Sequence, residues 1–330
     1  MVSVVGHDKW KNFLKSLHTS GRIPSGLLFS GKEGIGKKLL ALEFAKGLLC
    51  KSDKPFGCGE CKSCKQVGRF IEAIKRGETE DFEYRTEGEN GKTFFAYLVG
   101  DHPDLVVVVP DGKQIKIDQI REVSEYAYLK PTGRRKVIVI DEAEKMNPQA
   151  QNALLKTLEE PPPDTLFILI TSDKEKLLPT IRSRCFICEF KPLNEEDLKR
   201  VLSEFELPEG LEELILKDRS LRLLRIEKVE EFVQLWRAIR DFENTSYTEV
   251  IKASELFEKL SDGERETFLS LVERALSDRA IAELNSPKVA ELVPTLVADL
   301  KRSLTRSVKP KLVFQHLAFT LKRVAEKELR

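Results

Sequence analysis

Two hydrophobic patterns share the chain. Short continuous apolar runs occur at Leu27–Phe29, Leu105–Val109, Val137–Ile140 and Leu166–Ile170, and Phe186–Phe190 reads as a further strand. Leu105–Val109, bounded by Pro103 and Pro110-Asp111-Gly112, is patterned as a strand buried on both faces of a sheet. Between them apolar residues recur every three or four positions. Residues 1–25 hold an amphipathic helix, with Trp10, Phe13, Leu14 and Leu17 on one face, and residues 38–49 and 117–129 read as two more, the latter started by Asp118. A fourth helix opens at Asn147-Pro148, an N-cap followed by a first-turn proline, and ends at Pro161-Pro162-Pro163. Strands alternating with helices predict an α/β fold with a parallel sheet covered on both sides. The charge-rich stretch 66–100 interrupts the alternation and reads as a solvated excursion with a hairpin.

After Lys191-Pro192 only the helical pattern persists, with Asn194 capping the acidic turn Glu195-Glu196-Asp197. The expected division is an α/β domain over 1–191, a small helical domain over 192–226 and a larger helical domain over 227–330. Leu296, Leu300 and Leu304 form an apolar stripe that serves either an oligomer contact or the domain's own core.

Composition narrows the function classes. The 330 residues carry a formal net charge of +1, so no global charge excess points to nucleic acid or a membrane surface. No apolar run approaches the roughly 18 residues of a membrane span, and the N-terminal stretch lacks a signal-peptide layout, which implies a cytoplasmic protein. His7, His18, His102 and His316 are scattered and form no nucleophile–base or metal pattern.

The chemistry concentrates in three places. Leu27–Lys38 reads LLFSGKEGIGKK, a strand, a glycine loop and a helix start with the spacing GxxxxGK. Backbone N–H groups of such a loop surround phosphates and its lysine reaches the outer ones. Gly31, Gly34, Gly36 and Lys37 fit, but the next position, normally Ser or Thr to hold Mg²⁺, is Lys38. An ammonium cannot ligate a cation, so the phosphate cradle comes without its metal seat. Asp141-Glu142 closes a buried strand, where an Asp orients Mg²⁺ and a Glu polarises water; the same residues would also make a good acidic helix start. Cys50, Cys58, Cys61 and Cys64, spaced C-x7-C-x2-C-x2-C, can close a tetrahedral S₄ site suited to structural Zn²⁺, over a module of about 50–64. Cys185 and Cys188 lie in a strand at odd separation and read as packing residues. Arg182 and Arg184 precede that strand; such guanidinium groups suit phosphate recognition in an active site, or a surface ion pair.

Taken together, GLLFSGKEGIGKK, the cysteine cluster, DHPDLVVV, IKIDQIREV, KVIVIDEAEKMNPQAQNALLKTLEEPP, IRSRC and SVKPKLVFQHLAF resemble the clamp-loader branch of the AAA+ ATPases, and within it the delta-prime type of subunit of the bacterial DNA polymerase III clamp loader. The resemblance is specific over residues 1–192. It implies a P-loop NTPase-like AAA+ domain with an inserted zinc module, a helical lid and a helical collar. It further implies a place in a five-membered ring that loads a sliding clamp on primed DNA, beside the gamma/tau ATPase and delta subunits. By the same resemblance Arg184 is an arginine finger acting in trans, Arg222 is the nearest candidate for a lid sensor, and ATP remains a possible ligand of the degenerate loop. Lys38 favours a stator with weak or absent ATPase. Two other readings are a self-sufficient motor of the gamma/tau kind, which Lys38 opposes, and a zinc-dependent nucleic-acid-binding module, which the near-zero net charge opposes.

Overall fold

The computed structural model of the chain describes residues 4–88, 91–282, 287–306 and 308–328. Its residues divide into two compact units, 1–193 and 194–330. In the first, α1 (Asp8–Ser20) leads to β1 (Gly26–Ser30) and α2 (Lys37–Leu48). Next come α3 (Lys62–Arg76), β2 (Glu83–Glu87), β3 (Thr93–Val99), β4 (Leu105–Val108), α4 (Ile117–Tyr128) and β5 (Lys136–Ile140). The unit closes with α5 (Pro148–Glu159), β6 (Thr165–Thr171), the single turn α6 (Pro179–Arg182) and β7 (Phe186–Glu189). The seven strands form one sheet in the order β2-β3-β4-β5-β6-β1-β7. β4, β5, β6, β1 and β7 run parallel. β2 and β3 add an antiparallel ribbon at one edge.

All five expected strands form, and β1, β4, β5 and β6 are buried along their whole length because helices cover both faces. The start of α5 is as the sequence reads: Asn147 Oδ1 accepts from Ala150 N–H at 2.8 Å, with Pro148 in the first turn. At α4 the cap is two positions earlier than Asp118. Lys116 occupies it, and Gln119 Oε1 reaches back to its N–H at 3.1 Å. The stretch 66–100 departs most from expectation. The expected hairpin forms, as β2 and β3, but residues through Arg76 belong to α3, and Phe95, Ala96, Tyr97 and Leu98 of β3 are buried, so that arm is core and not solvated excursion. Charged residues in α3 and β2 mask this, because α3 keeps one face in solvent and β2, at the sheet edge, is exposed along most of its length.

The second unit is helical: α7 (Glu195–Leu202), α8 (Leu211–Asp218), α9 (Val229–Arg240), α10 (Tyr247–Lys259), α11 (Asp262–Ala282), α12 (Pro287–Thr305) and α13 (Pro310–Glu328). Asn194 caps α7 as expected, accepting from Asp197 N–H at 2.7 Å. Phe232, Phe257, Phe268 and Phe314 meet edge-on or tilted at its centre. Leu296 and Leu300 are buried within this unit, so most of that stripe serves the chain's own core. Ser307, the first residue of the collar-like SVKPKLVFQHLAF, lies outside the described residues.

Candidate functional site

The phosphate loop leaves the C-terminal end of β1, which lies between β6 and β7. Gly31 N–H donates to Thr171 O at 3.1 Å, and Phe190 N–H donates to Ser30 O at 2.7 Å, so both neighbouring strands fix the loop's first residue. A side chain at Gly31 would bring its Cβ to 2.4 Å from Phe190 O, and its φ of 150° is one that L residues rarely adopt. Gly34 and Gly36, with φ of 73° and 94°, turn the loop into the helix. The first intrahelical bond runs from Leu40 N–H to Gly36 O, which leaves the preceding N–H groups of Lys37, Lys38 and Leu39 directed out of the helix end.

The two lysines have different partners. Lys37 is buried and donates to Gly31 O at 2.5 Å and Lys32 O at 2.6 Å. Burial lowers its pKa to about 8 against the opposing pull of Asp141, Glu144 and Glu33. Lys38 turns instead to the end of β5, where its Nζ lies 2.6 Å from Asp141 Oδ2. The carboxylate that would orient Mg²⁺ is therefore neutralised by an ammonium. These residues do not fit a divalent cation between loop and strand.

Glu142 has φ 51°, an uncommon backbone state for a residue with a Cβ, and pairs with Lys145 in the turn that follows. Glu144 accepts from Ser172 N–H at 3.1 Å and from its hydroxyl, which ties the end of β6 to the acidic turn. Two contributors escaped the sequence reading. His7, with φ 59°, sets its Nε2 2.6 Å from Ile35 O and so braces the loop from the N-terminal segment. Thr171 and Ser172 stand between the loop and the acidic turn. Polar residues ending the strand adjacent to β1 were the available signal for the second pair; nothing local marks His7.

Arg184 sits at the other end of the sheet. It precedes β7, whose residues Phe186–Glu189 pair with Leu27–Ser30, so it is level with the start of β1. The five residues of β1, at about 3.3 Å each, separate it from its own phosphate loop by roughly 16 Å or more. Arg184 Nη2 lies 2.7 Å from Glu159 Oε1, and Nη1 donates to Thr180 O at 2.9 Å. Arg182 pairs with Glu175. In the second unit Arg222 makes a two-pronged contact with the fully buried Asp218, at 2.8 and 2.9 Å.

The four cysteines converge as their spacing implies. Cys50 ends the chain's exit from α2, Cys58 and Cys61 lie in the turn before α3, and Cys64 is in its first turn. Their sulfurs all lie within 4.8 Å of one another, with Cys58 and Cys64 at 3.9 Å. A tetrahedral zinc with Zn–S near 2.3 Å requires S···S separations of about 3.8 Å, so the donor set fits that ion. Cys61 N–H donates to Cys58 Sγ at 3.3 Å and Cys64 N–H to Cys61 Sγ at 3.5 Å. The N–H groups of Cys61 and Glu60 lower the Cys58 pKa to about 6, whereas burial pushes Cys64 up to about 12. Cys185 and Cys188 are buried in the first unit, where burial raises both to about 12.

His102 connects the cysteine module to the sheet. Its Nδ1 accepts from Asp104 N–H at 3.2 Å and its Nε2 faces Ser63 Oγ at 3.2 Å. Asp104, also buried, accepts from Thr132 N–H, the Thr132 hydroxyl and Gly133 N–H at 2.7–2.9 Å. The DHPD segment is thus a structural bracket, and burial holds His102 below its ordinary pKa and so neutral.

Comparison with known proteins agrees with this arrangement. The family model described as "DNA polymerase III, delta subunit" matches residues 6–89 and 69–194. DNA polymerase III subunit delta' of Pseudomonas aeruginosa is 36% identical over 197 residues, covering 57% of this chain and 50% of that protein. Its Bacillus subtilis counterpart is 30% identical over 216 residues, 64% of this chain and 56% of that protein. The tau/gamma subunit of Haemophilus influenzae is 32% identical over 212 residues, 63% of this chain but 26% of its own length. The chain thus spans about half the length of the delta' relatives it matches. With the family model covering more than half of its residues, the chain belongs to the delta-prime family of DNA polymerase III clamp-loader subunits.

Proposed function

We propose that the chain is the stator of a replicative clamp loader, which hydrolyses ATP weakly or not at all and completes the ATP site of a neighbouring subunit with Arg184. The observation that carries the first half is the 2.6 Å contact between Lys38 and Asp141. Phosphoryl transfer relies on a cation bridging the outer phosphates and on a carboxylate free to orient it. Here the carboxylate is spent on a side chain. Gly31, Gly34, Gly36 and Lys37 remain as a cradle for phosphates, so nucleotide binding is separable from hydrolysis in this proposal.

The second half draws support from topology. Arg184 is at the opposite end of β1 from the chain's own loop, so a nucleotide it meets belongs to another subunit. A permanently charged, fork-shaped group presented in that way is suited to the charge that develops on a transferring phosphoryl group. The proposal extends to gamma/tau-type ATPase and delta subunits as partners, to a sliding clamp and primed DNA reached through the assembled complex, and to a cytoplasmic location. Among the described residues no helix is long and apolar enough to cross a membrane. Zinc would be held by the four cysteines in a structural role, with no open position for chemistry. Residues 192–226 would act as lid and 227–330 as collar. Arg222 would reach a nucleotide only after leaving Asp218.

Steady-state ATP turnover tests the proposal, with the chain alone and then assembled with its partner ATPase subunits. No turnover alone, and an assembled rate that falls about 10²-fold or more with Arg184→Ala, is expected. Turnover by the chain alone that vanishes with Lys37→Ala would replace the stator with a motor.

A further inference from the structure

The surroundings of Arg184 carry more than the guanidinium itself. Tyr128 and Leu129, at the end of α4, are 61% and 63% exposed, although both are large and largely apolar. They are next to the arginine through a short series of contacts. Tyr128 Oη reaches Glu160 O at 3.5 Å, Glu159 precedes it, and Glu159 Oε1 holds Arg184 Nη2 at 2.7 Å. Thr157 Oγ1 donates to Ser124 Oγ at 3.1 Å, which locks the α4 and α5 ends together beneath the patch. Scattered exposed apolar residues are ordinary, and a surface ion pair is worth little. What distinguishes this place is the combination: a rigid platform, an exposed aromatic–aliphatic pair linked through Glu159-Glu160 to a guanidinium, and Glu159 as that cation's acidic partner among the described residues.

From this geometry we infer that Tyr128, Leu129 and Arg184 form one docking surface for a subunit that carries a bound nucleotide, and that Glu159 holds the place of the nucleotide's phosphate until that subunit arrives. The inference rests on the trans-acting role of Arg184 and adds the surface and the counter-ion to it. Tyrosine and arginine are the residue types that most often dominate protein interfaces, through large apolar contact with a polar tip. The Arg184–Glu159 pair is half-exposed, so exchanging its carboxylate for a phosphate costs little. Charge complementarity identifies the occupant: a partner that displaces Glu159 must bring an anion to the same spot. Thr180 O stays on Nη1 and keeps the fork oriented during the exchange. Glu159 is therefore a positioning residue and touches no substrate.

The experiment uses the full chain assembled with its ATPase partner subunits and measures two quantities: complex formation by sedimentation and ATP turnover in the complex. The variants are Tyr128→Ser with Leu129→Ser, Glu159→Gln and Arg184→Ala, each first checked for an unchanged melting temperature. The serine pair should raise the concentration needed for half-assembly at least tenfold. Glu159→Gln should leave assembly intact and raise turnover at limiting nucleotide about threefold or more, by lowering KM with kcat little changed. Assembly that is indifferent to the serine pair would overturn the docking surface. Turnover that falls with Glu159→Gln as it does with Arg184→Ala would overturn the place-holding role. Should Arg184→Ala leave turnover unchanged, the finger itself fails, while sedimentation of the serine pair still decides the surface.

Discussion

Replacing Lys38 by threonine reverses the feature that separates this site from a hydrolytic one. The substitution removes the ammonium 2.6 Å from Asp141, whose side chain is only 8% exposed. Stripping one partner from a buried ion pair costs about 3–5 kcal/mol. Two features reduce that here. Lys38 is 24% exposed, so water screens the pair, and Lys37 is near enough to Asp141 to take over part of the compensation. The expected loss is about 2 kcal/mol, which for a unit of this size lowers Tm by about 4–8 °C in a magnesium-free buffer without chelator. The threonine also restores a hydroxyl beside a carboxylate that is now free, the pair that Mg²⁺ requires. Mg²⁺ with ATP at 100 times its Kd should then return about 2.7 kcal/mol to the variant. Wild-type protein should show no magnesium-dependent gain. Thermal melts of both zinc-loaded proteins in magnesium-free buffer, in that buffer with ATP, and in Mg²⁺ with ATP make the comparison. A variant that melts with wild type without magnesium, or a wild type that gains as much from Mg²⁺ as the variant, would refute the assignment of Lys38 as the occupant of the cation's place.

Lys37 gives stability a pH dependence of definite sign. Its folded-state pKa of about 8 lies below the unfolded value of 10.5, so below pH 8 both states are protonated and the folded chain bears the full cost of the buried charge. Between about 8 and 10.5 the unfolded chain binds the extra proton, and stability rises with pH by up to about 3 kcal/mol. Denaturant titrations of wild type and Lys37→Met across this range should differ by that amount, and parallel curves would contradict the burial argument. For the cysteine module, elemental analysis should find one zinc per chain. Its chelation should lower Tm and expose Cys50, Cys58, Cys61 and Cys64 to a thiol reagent, with Cys185 and Cys188 slow in both states. Uniform reactivity of all six would rule out a metal-held cluster.

How legible the chain was depends on the kind of interaction that decides each part. The buried strands were readable because a strand covered on both faces must be apolar at every position, as Leu105–Val108 and Lys136–Ile140 nearly are. Lys136 is the instructive exception: its stem lies in the core while its ammonium donates to Tyr126 O and Leu129 O, capping the end of α4. The 66–100 stretch was misread for the complementary reason. One face of α3 stays in solvent and the edge strand β2 is mostly exposed, so charge frequency outweighs the apolar positions Val67, Phe70 and Ile71 that pack inside.

The site divides along the same line. Backbone geometry and ligand chemistry are local, so the glycines of the phosphate loop, the proline-marked start of α5 and the four-thiolate cluster could be read along the chain. Spacing along the chain and spacing in space are nearly the same thing over a few residues. Where the long-range charges meet depended on the three-dimensional fold. That Lys38 meets Asp141 and not a phosphate, and that Arg184 lies at the far end of β1 from its own loop, both follow from the strand order, whereas Arg222 meets Asp218 across one helical turn. Ion pairs leave no periodic trace in a sequence, and a strand order of β5-β6-β1-β7 places residues distant in the chain side by side.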